Sequence, residues 1–246
     1  MNRHTRRLSL ALAATAVLGA GTAHAVCQVP LAIGQNTGNA NVMILLDNSG
    51  SMNEALLSSA YNKSTTYSGN FDRGSRYDIT LSKLYTPRNF KSSWPNTPSA
   101  YLVTSDQGEA ASYPGNYLNW VFFHATASQR SAIPTVTRIQ SAKAAVSSFL
   151  NNITDVRLGL EVFDSASNGG TILANIGSTV GSIQSLVSGL RAHTMTPLAE
   201  ASVTALNYFS TTGVSAPIQA PCQKTFLIIV TDGLPNCNGA NQPKCD

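Results

Sequence analysis

The sequence predicts an open α/β fold with a mostly parallel sheet and helices on both faces, and three observations carry that expectation. Asn41 to Asp47 (NVMILLD) and Thr225 to Asp232 (TFLIIVTD) are short unbroken apolar runs, each ending in an aspartate followed by turn residues. Such runs fit strands buried on both faces of a parallel sheet. Between them, Ile139, Ala142, Val146, Phe149 and Leu150 recur at helical spacing, and Val156, Leu158, Leu160 and Val162 alternate as a strand does.

In chain order, the first apolar run is a strand and the 139–150 stretch a helix, followed by the alternating strand at 156–162. A short strand near Thr171 to Ile176 comes next, then a helical stretch from Thr179 to Leu190. Another helix starts at Pro197, where proline suits the first turn, and the second apolar run closes the pattern. Strand, helix, strand, strand, helix, helix, strand is the order of an open sheet covered on both sides.

Glu54 to Ser131 breaks this rhythm. These 78 residues interrupt the first strand–helix connection, and they hold seven of the eight tyrosines and both tryptophans. Loops of that length in compact domains are functional or disordered. The aromatics argue for order, and Asn119 to Ala127 (NWVFFHATA) reads as a helix returning to the core. The segment is either a decorating subdomain without chemistry of its own or a binding surface.

The first 25 residues read as a secretory signal peptide. Arg3, Arg6 and Arg7 form a basic start, Leu8 to Ala20 an apolar stretch, and Ala23-His24-Ala25 a cleavage site after Ala25. Thr5-Arg6-Arg7 offers the arginine pair of a twin-arginine signal, but Ser9 and Leu10 supply little else of it, which favours Sec export. Val26 is too bulky to precede a lipid-anchored Cys27. The apolar stretch is shorter than the roughly 20 residues of a membrane span, and no later run is longer, so no span is expected after cleavage. Export puts Cys27, Cys222, Cys237 and Cys245 in an oxidising compartment, where disulfides are expected before metal ligation.

Charge narrows the partners. The formal net charge is +4, from 16 Lys+Arg against 12 Asp+Glu; without the three leader arginines the balance is 13 against 12. A near-neutral body lacks the basic stripe that phosphate backbones require, so nucleic acid is excluded as a partner class. G-x-S-x-G, H-E-x-x-H and a phosphate-cradling glycine loop are all absent from the sequence, so the chain does not read as an enzyme. His124 and His193, far apart and without a second ligand at i+4, read as structural.

The chemistry gathers at the strand ends. Asp47-Asn48-Ser49-Gly50-Ser51 is a D-x-S-x-S, one carboxylate and two hydroxyls on a tight loop, and such oxygens suit a hard cation. Ligand sites in open α/β sheets form outside the carboxyl ends of strands, where Asp232-Gly233 also falls. A third loop supplies Thr194-Met195-Thr196-Pro197. Taken singly, Asp47 reads as a cap for its turn, Thr196 as the N-cap before Pro197, and Asp232-Gly233 as an ordinary turn. Their coincidence at one sheet edge favours the cation.

NVMILLDNSGSM, TMTPLAEA and IIVTDG resemble the three loops of a von Willebrand factor A domain with a metal-ion-dependent adhesion site, over most of residues 41 to 233. The resemblance implies an open, mostly parallel Rossmann-like sheet. It also implies metal positions at Asp47, Ser49, Ser51, Thr196 and Asp232, with the hydroxyls binding directly and Asp232 through water. The cation would be Mg²⁺ first, with Ca²⁺ or Mn²⁺ as alternatives, and its open position would be filled by an Asp or Glu of a partner. The family's Gly-Gly before the threonine is replaced here by His193-Thr194-Met195.

A closer resemblance runs through the leader, DNSGSMN, the insert with Tyr117-Leu118-Asn119-Trp120, RIQSAKAAVSSFL, VRLGLEVF, TPLAEA and CQKTFLIIVTDG. Together they are similar to the N-terminal part of the PilY family of type IV pilus tip adhesins. That implies an exported protein of the periplasm, cell surface or pilus tip, a metal-dependent adhesion or protein-binding module working with pilus subunits. The alternative is a pilus-assembly component whose cation only stabilises loops. Only 13 residues follow Gly233, whereas a complete domain of this class needs further helix–strand pairs of about 30 residues each. Residues 26–246 are therefore expected to be an incomplete domain with its insert at 54–131 and its C-terminal strands missing. In the family's topology the first and fourth strands are parallel neighbours, which implies the disulfides Cys27–Cys222 and Cys237–Cys245.

Overall fold

The computed structural model describes residues 38–80, 83–85, 102–103, 105–164 and 169–233. The fold is α/β, built on a mixed, mostly parallel four-stranded sheet. Its central strand β1 (Ala40–Leu46) is flanked by two parallel neighbours, pairing Ala40 with Val156 through Leu46 with Val162 on one side and Asn41 with Thr225 through Leu46 with Val230 on the other. The insert supplies β2 (Arg76–Thr80), β3 (Lys83–Tyr85), β4 (Ser105–Asp106) and β5 (Glu109–Pro114). β6 (Val156–Asp164), β7 (Gly169–Ser178) and β8 (Thr225–Val230) complete the main sheet in the order β7-β6-β1-β8, with β7 antiparallel to β6.

Alternation along β1 sends side chains to two cores. Val42, Ile44 and Leu46 meet Ile139, Ala142, Val146 and Leu150 on one face, with Ile183 and Val187 beside them, whereas Leu45 packs with Phe163 and Ala201 on the other. The first face is covered by α3 (Arg138–Asn152) and α4 (Val180–Gly189), the second by α5 (Leu198–Phe209). Each fully buried Leu or Ile contributes about 1.5–3 kcal/mol through removal from water. Thr137 caps α3 in a reciprocal box with Gln140, and Thr179 accepts from the Ser182 amide to start α4. The strand expected near Thr171 to Ile176 is longer, ten residues from Gly169 to Ser178.

β8 differs from the sequence expectation. Its run of apolar residues is not buried on both faces: Phe226 is 50%, Ile228 37% and Ile229 42% exposed. The reason is position, since among the described residues β1 is its only strand partner. Residue Cys222, just before β8, has φ 63° and is disulfide-bonded. The expected pairs Cys27–Cys222 and Cys237–Cys245 fall on Cys27, Cys237 and Cys245, which lie outside the described residues, as does the leader. Among the described residues no helix is long and apolar enough to cross a membrane.

The insert builds a second core around an antiparallel sheet of order β3-β2-β5-β4. Phe71, Tyr77, Ile79, Tyr113, Tyr117 and Trp120 are buried together there. Each buried tyrosine finds a partner for its hydroxyl: Tyr117 accepts from the Ser58 amide at 3.1 Å and Tyr113 donates to the Val103 carbonyl at 3.2 Å. Burial raises both phenols above their ordinary range. β4 and β5 join through Gln107 and Gly108, both at positive φ, as a two-residue hairpin turn of the mirror-image type requires. That hairpin latches onto α3 and the loop after α4, where Lys143 Nζ of α3 reaches Asp106 at 2.6 Å and Arg191 pairs with Glu109.

The helix expected over Asn119 to Ala127 is displaced and broken. α1 (Gly115–Asn119) runs into a π-helical turn, Trp120–His124, and the chain is extended at Ala125. A new helix, α2 (Ala127–Ser131), then starts from Thr126, whose reciprocal capping box with Gln129 requires a non-helical N-cap residue. Gly115 is where the insert tolerates no side chain, because a Cβ there would lie 1.9 Å from the Asp72 carbonyl oxygen. Gly115→Val is expected to lower stability by about 3 kcal/mol, the upper part of the overpacking range. Chemical denaturation with limited proteolysis of the 54–131 segment checks this, and a variant as stable and protease-resistant as wild type contradicts it.

Candidate functional site

Parallel pairing brings the predicted ligands together. β1 and β8 run the same way, so Asp47 and Asp232 emerge at one edge, and the Asp47 amide donates to the Val230 carbonyl at 2.9 Å. α3 returns antiparallel to the strands, which puts its first residue, Arg138, at the same edge. The loop before α5 docks on the D-x-S-x-S turn through backbone: His193 and Thr194 amides donate to the Asn48 carbonyl, and the Gly50 amide donates to the Thr194 carbonyl. The His193-Thr194-Met195 stretch therefore follows the first loop as a short parallel bridge, Ser49 beside Thr194. Two residues on, Thr196 is buried at 3% exposure.

A run of oxygens links three of the candidates. Ser49 Oγ and Ser51 Oγ are 3.0 Å apart, and Ser51 Oγ donates to Asp232 Oδ1 at 3.0 Å. Asp47 stands beside this run with both oxygens engaged: Oδ1 accepts from the Ser49 amide at 2.7 Å and Oδ2 from Thr231 Oγ1 at 2.6 Å. Asp47 is 0% exposed. A carboxylate on a strand-end loop is ordinarily exposed; this one is buried because Thr231, just past β8, closes over it while the D-x-S-x-S turn folds back on it through Ser49. The bland reading of Asp47 as a turn cap is thus partly realised, in the Ser49 amide bond. Thr196 is not the N-cap of α5; Pro197 holds that position, without a side-chain cap.

Three residues matter here that the sequence reading did not single out. Asn48 is a buried hub whose Oδ1 accepts from the Phe163 amide at 3.0 Å and from Thr194 Oγ1 at 3.2 Å, tying three loops together. Arg138 pairs with Asp232 Oδ2 through one nitrogen and with Glu54 Oε2, at 2.6 Å, through the other. Glu54 completes the chain to Arg76 at 2.8 Å. Arg138 had one signal in the sequence, its place directly after the Thr137 N-cap of a helix that must start at this edge.

Chemically, the edge gathers hydroxyl oxygens and two carboxylates, one of which, Asp232, is balanced by a guanidinium. Among the described residues no three His, Cys, Asp or Glu side chains cluster as metal ligands, so a cation here depends on the hydroxyls. The two histidines take local partners, His124 at the Ser68 carbonyl, 2.8 Å, and His193 at the Arg191 carbonyl, 3.1 Å. Comparison with family models, with curated proteins and with solved structures finds no match for this chain.

Proposed function

We propose that this chain is a metal-dependent adhesion or protein-binding module of von Willebrand factor A type, exported to the periplasm, cell surface or pilus tip and akin to the N-terminal part of PilY proteins. It is not an enzyme in this reading. Asp47, Ser49, Ser51 and Thr196 hold a divalent cation directly and Asp232 holds it through water, and an Asp or Glu of a partner fills the open position.

The observation that carries the reading is the 3.0 Å spacing along Ser49 Oγ, Ser51 Oγ and Asp232 Oδ1. Hydroxyl oxygens gathered beside carboxylates are the hard donors that a divalent cation takes. Charge supports the partner class: Arg138 neutralises Asp232, so a dication facing the single charge of Asp47 retains positive charge for an incoming carboxylate.

Calorimetry of the full chain with Mg²⁺ and Mn²⁺, followed by chelation under circular dichroism, tests this. Cation uptake is expected, and chelation is expected to abolish binding to a carboxylate-bearing surface with the fold intact. Absence of uptake defeats the reading. Loss of the fold on chelation favours instead a pilus-assembly component in which the cation only holds loops, a second reading that the burial of Asp47 inside the loop network supports.

A further inference from the structure

We propose that the cleft beside Arg138 is a second contact for the partner, taking an acidic peptide segment that continues from the cation-bound carboxylate; this rests on the reading above. The cleft measures about 470 Å³, within the roughly 300–1,000 Å³ of ligand-binding clefts. Arg138 belongs to both places, lining the cleft and pairing with Asp232. A peptide held at the cation thus has the cleft as its neighbouring surface.

The cleft is positive. Its one lining acid is Glu54, and both Glu54 oxygens are taken, by Arg76 at 2.8 Å and Arg138 at 2.6 Å. Lys63 and Arg73, also in the lining, form no ion pair among the described residues. Leu57, Tyr61 and Pro114 add apolar wall. Two cations against an apolar wall suit acidic side chains interspersed with apolar ones, and they are too few for a polyanion, whose affinity comes from many phosphate contacts.

Both cations sit on loops whose shape is already set. Asn116 straps the Lys63 loop at three points: its Nδ2 donates to the Tyr61 hydroxyl at 2.9 Å and the Thr65 carbonyl at 2.8 Å, and its Oδ1 accepts from the Tyr67 amide at 2.9 Å. Arg73 rides a turn closed by Asp72, whose carboxyl accepts from Ser75 Oγ at 2.6 Å and the Gly74 amide at 3.1 Å. Those two bonds, Ser75 first, with the neighbouring Arg73 charge, hold the Asp72 carboxyl below the ordinary carboxylate range. A surface ordered before binding loses less entropy when a ligand arrives.

The test uses the full chain saturated with Mg²⁺ and an eight-residue capped peptide alternating Asp and Leu, read by fluorescence anisotropy, with Mg²⁺ affinity measured separately. Lys63→Gln combined with Arg73→Gln is expected to weaken the peptide roughly tenfold, as two exposed charge pairs would, and to move Mg²⁺ affinity less than about twofold. Both residues are exposed, so the fold is expected to be unaffected. The Asn-Leu counterpart of the peptide is expected to bind weakly. Equal peptide affinity in wild type and double variant, equal affinity for the two peptides, or tighter binding of an oligothymidylate overturns the inference while Mg²⁺ binding stands. Absence of Mg²⁺ uptake by the wild type brings down the cation reading itself, and the inference with it.

Discussion

Asp47→Asn is expected to cost at least a hundredfold in Mg²⁺ affinity while leaving the fold close to wild type. The substitution removes the charge but not the shape. Asn Oδ1 still accepts from the Ser49 amide, and the amide nitrogen can donate to Thr231 Oγ1, reversing the direction of that 2.6 Å bond. Asp47→Ala behaves differently. It leaves the Ser49 amide and the Thr231 hydroxyl without their buried partner, and about 1–3 kcal/mol of stability goes with it. Asp232→Asn is expected to weaken the cation only several-fold, since in the proposed site Asp232 acts through water and a hydrogen-bonding side chain remains. Isothermal calorimetry with thermal unfolding of the three variants separates charge from packing, and undiminished Mg²⁺ affinity in Asp47→Asn would remove Asp47 from the ligand set.

Glu161 is expected to make the protein less stable as pH rises. It lies in β6 beside Leu45, is 0% exposed, and neither carboxylate oxygen has a hydrogen-bond partner among the described residues. Gly170 on the neighbouring strand makes room for it, since a Cβ there would stand 2.0 Å from Glu161 Oε1. Desolvation lifts its pKa from 4.5 to about 7. Between those values the folded protein binds the proton more tightly than the unfolded chain, so this contribution is present in full below about pH 4.5 and lost as pH rises through about 7. At 1.36 kcal/mol per unit, the loss is on the order of 3 kcal/mol. Glu161→Leu, close in volume and without orphan oxygens, is expected to stabilise by a similar amount at pH 8 and to flatten the slope between pH 4.5 and 7. Parallel slopes for the two proteins in denaturant titrations across that window would count against the buried carboxyl as the cause.

The main sheet was readable because its strands obey simple patterns. Asn41 to Asp47 is apolar on both faces and is buried on both, and Ile139 through Leu150 keep one stripe toward Val42, Ile44 and Leu46. β8 carries the same pattern yet has β1 as its only strand partner among the described residues, because an apolar run reports what a strand can bury and not which neighbours it has. The insert's sheet was not readable. β3 and β4 are three and two residues long, too short for alternation to register, and the insert's core is assembled from Phe71, Tyr77, Tyr113, Tyr117 and Trp120, residues scattered along the segment. Around the site, spacing named the oxygens but not the company they keep. That Asp47 is roofed by Thr231, and that Arg138 reaches Asp232, depends on which strands lie side by side.

The way the insert is attached has a consequence for how such a chain can change. Ala55 and Thr137 are joined by an antiparallel bridge, and the Arg138 amide donates to the Glu54 carbonyl at 2.9 Å, so the segment leaves and returns through one backbone doorway. Closing a flexible loop costs only slightly more entropy as it lengthens, about 0.6 kcal/mol per doubling. The length of what lies beyond the doorway is thereby only loosely tied to the register of the strands behind it. Residues added within the insert, away from the Asp106 and Glu109 pairings, can thus lengthen it without shifting the oxygens at Ser49, Ser51 and Asp232.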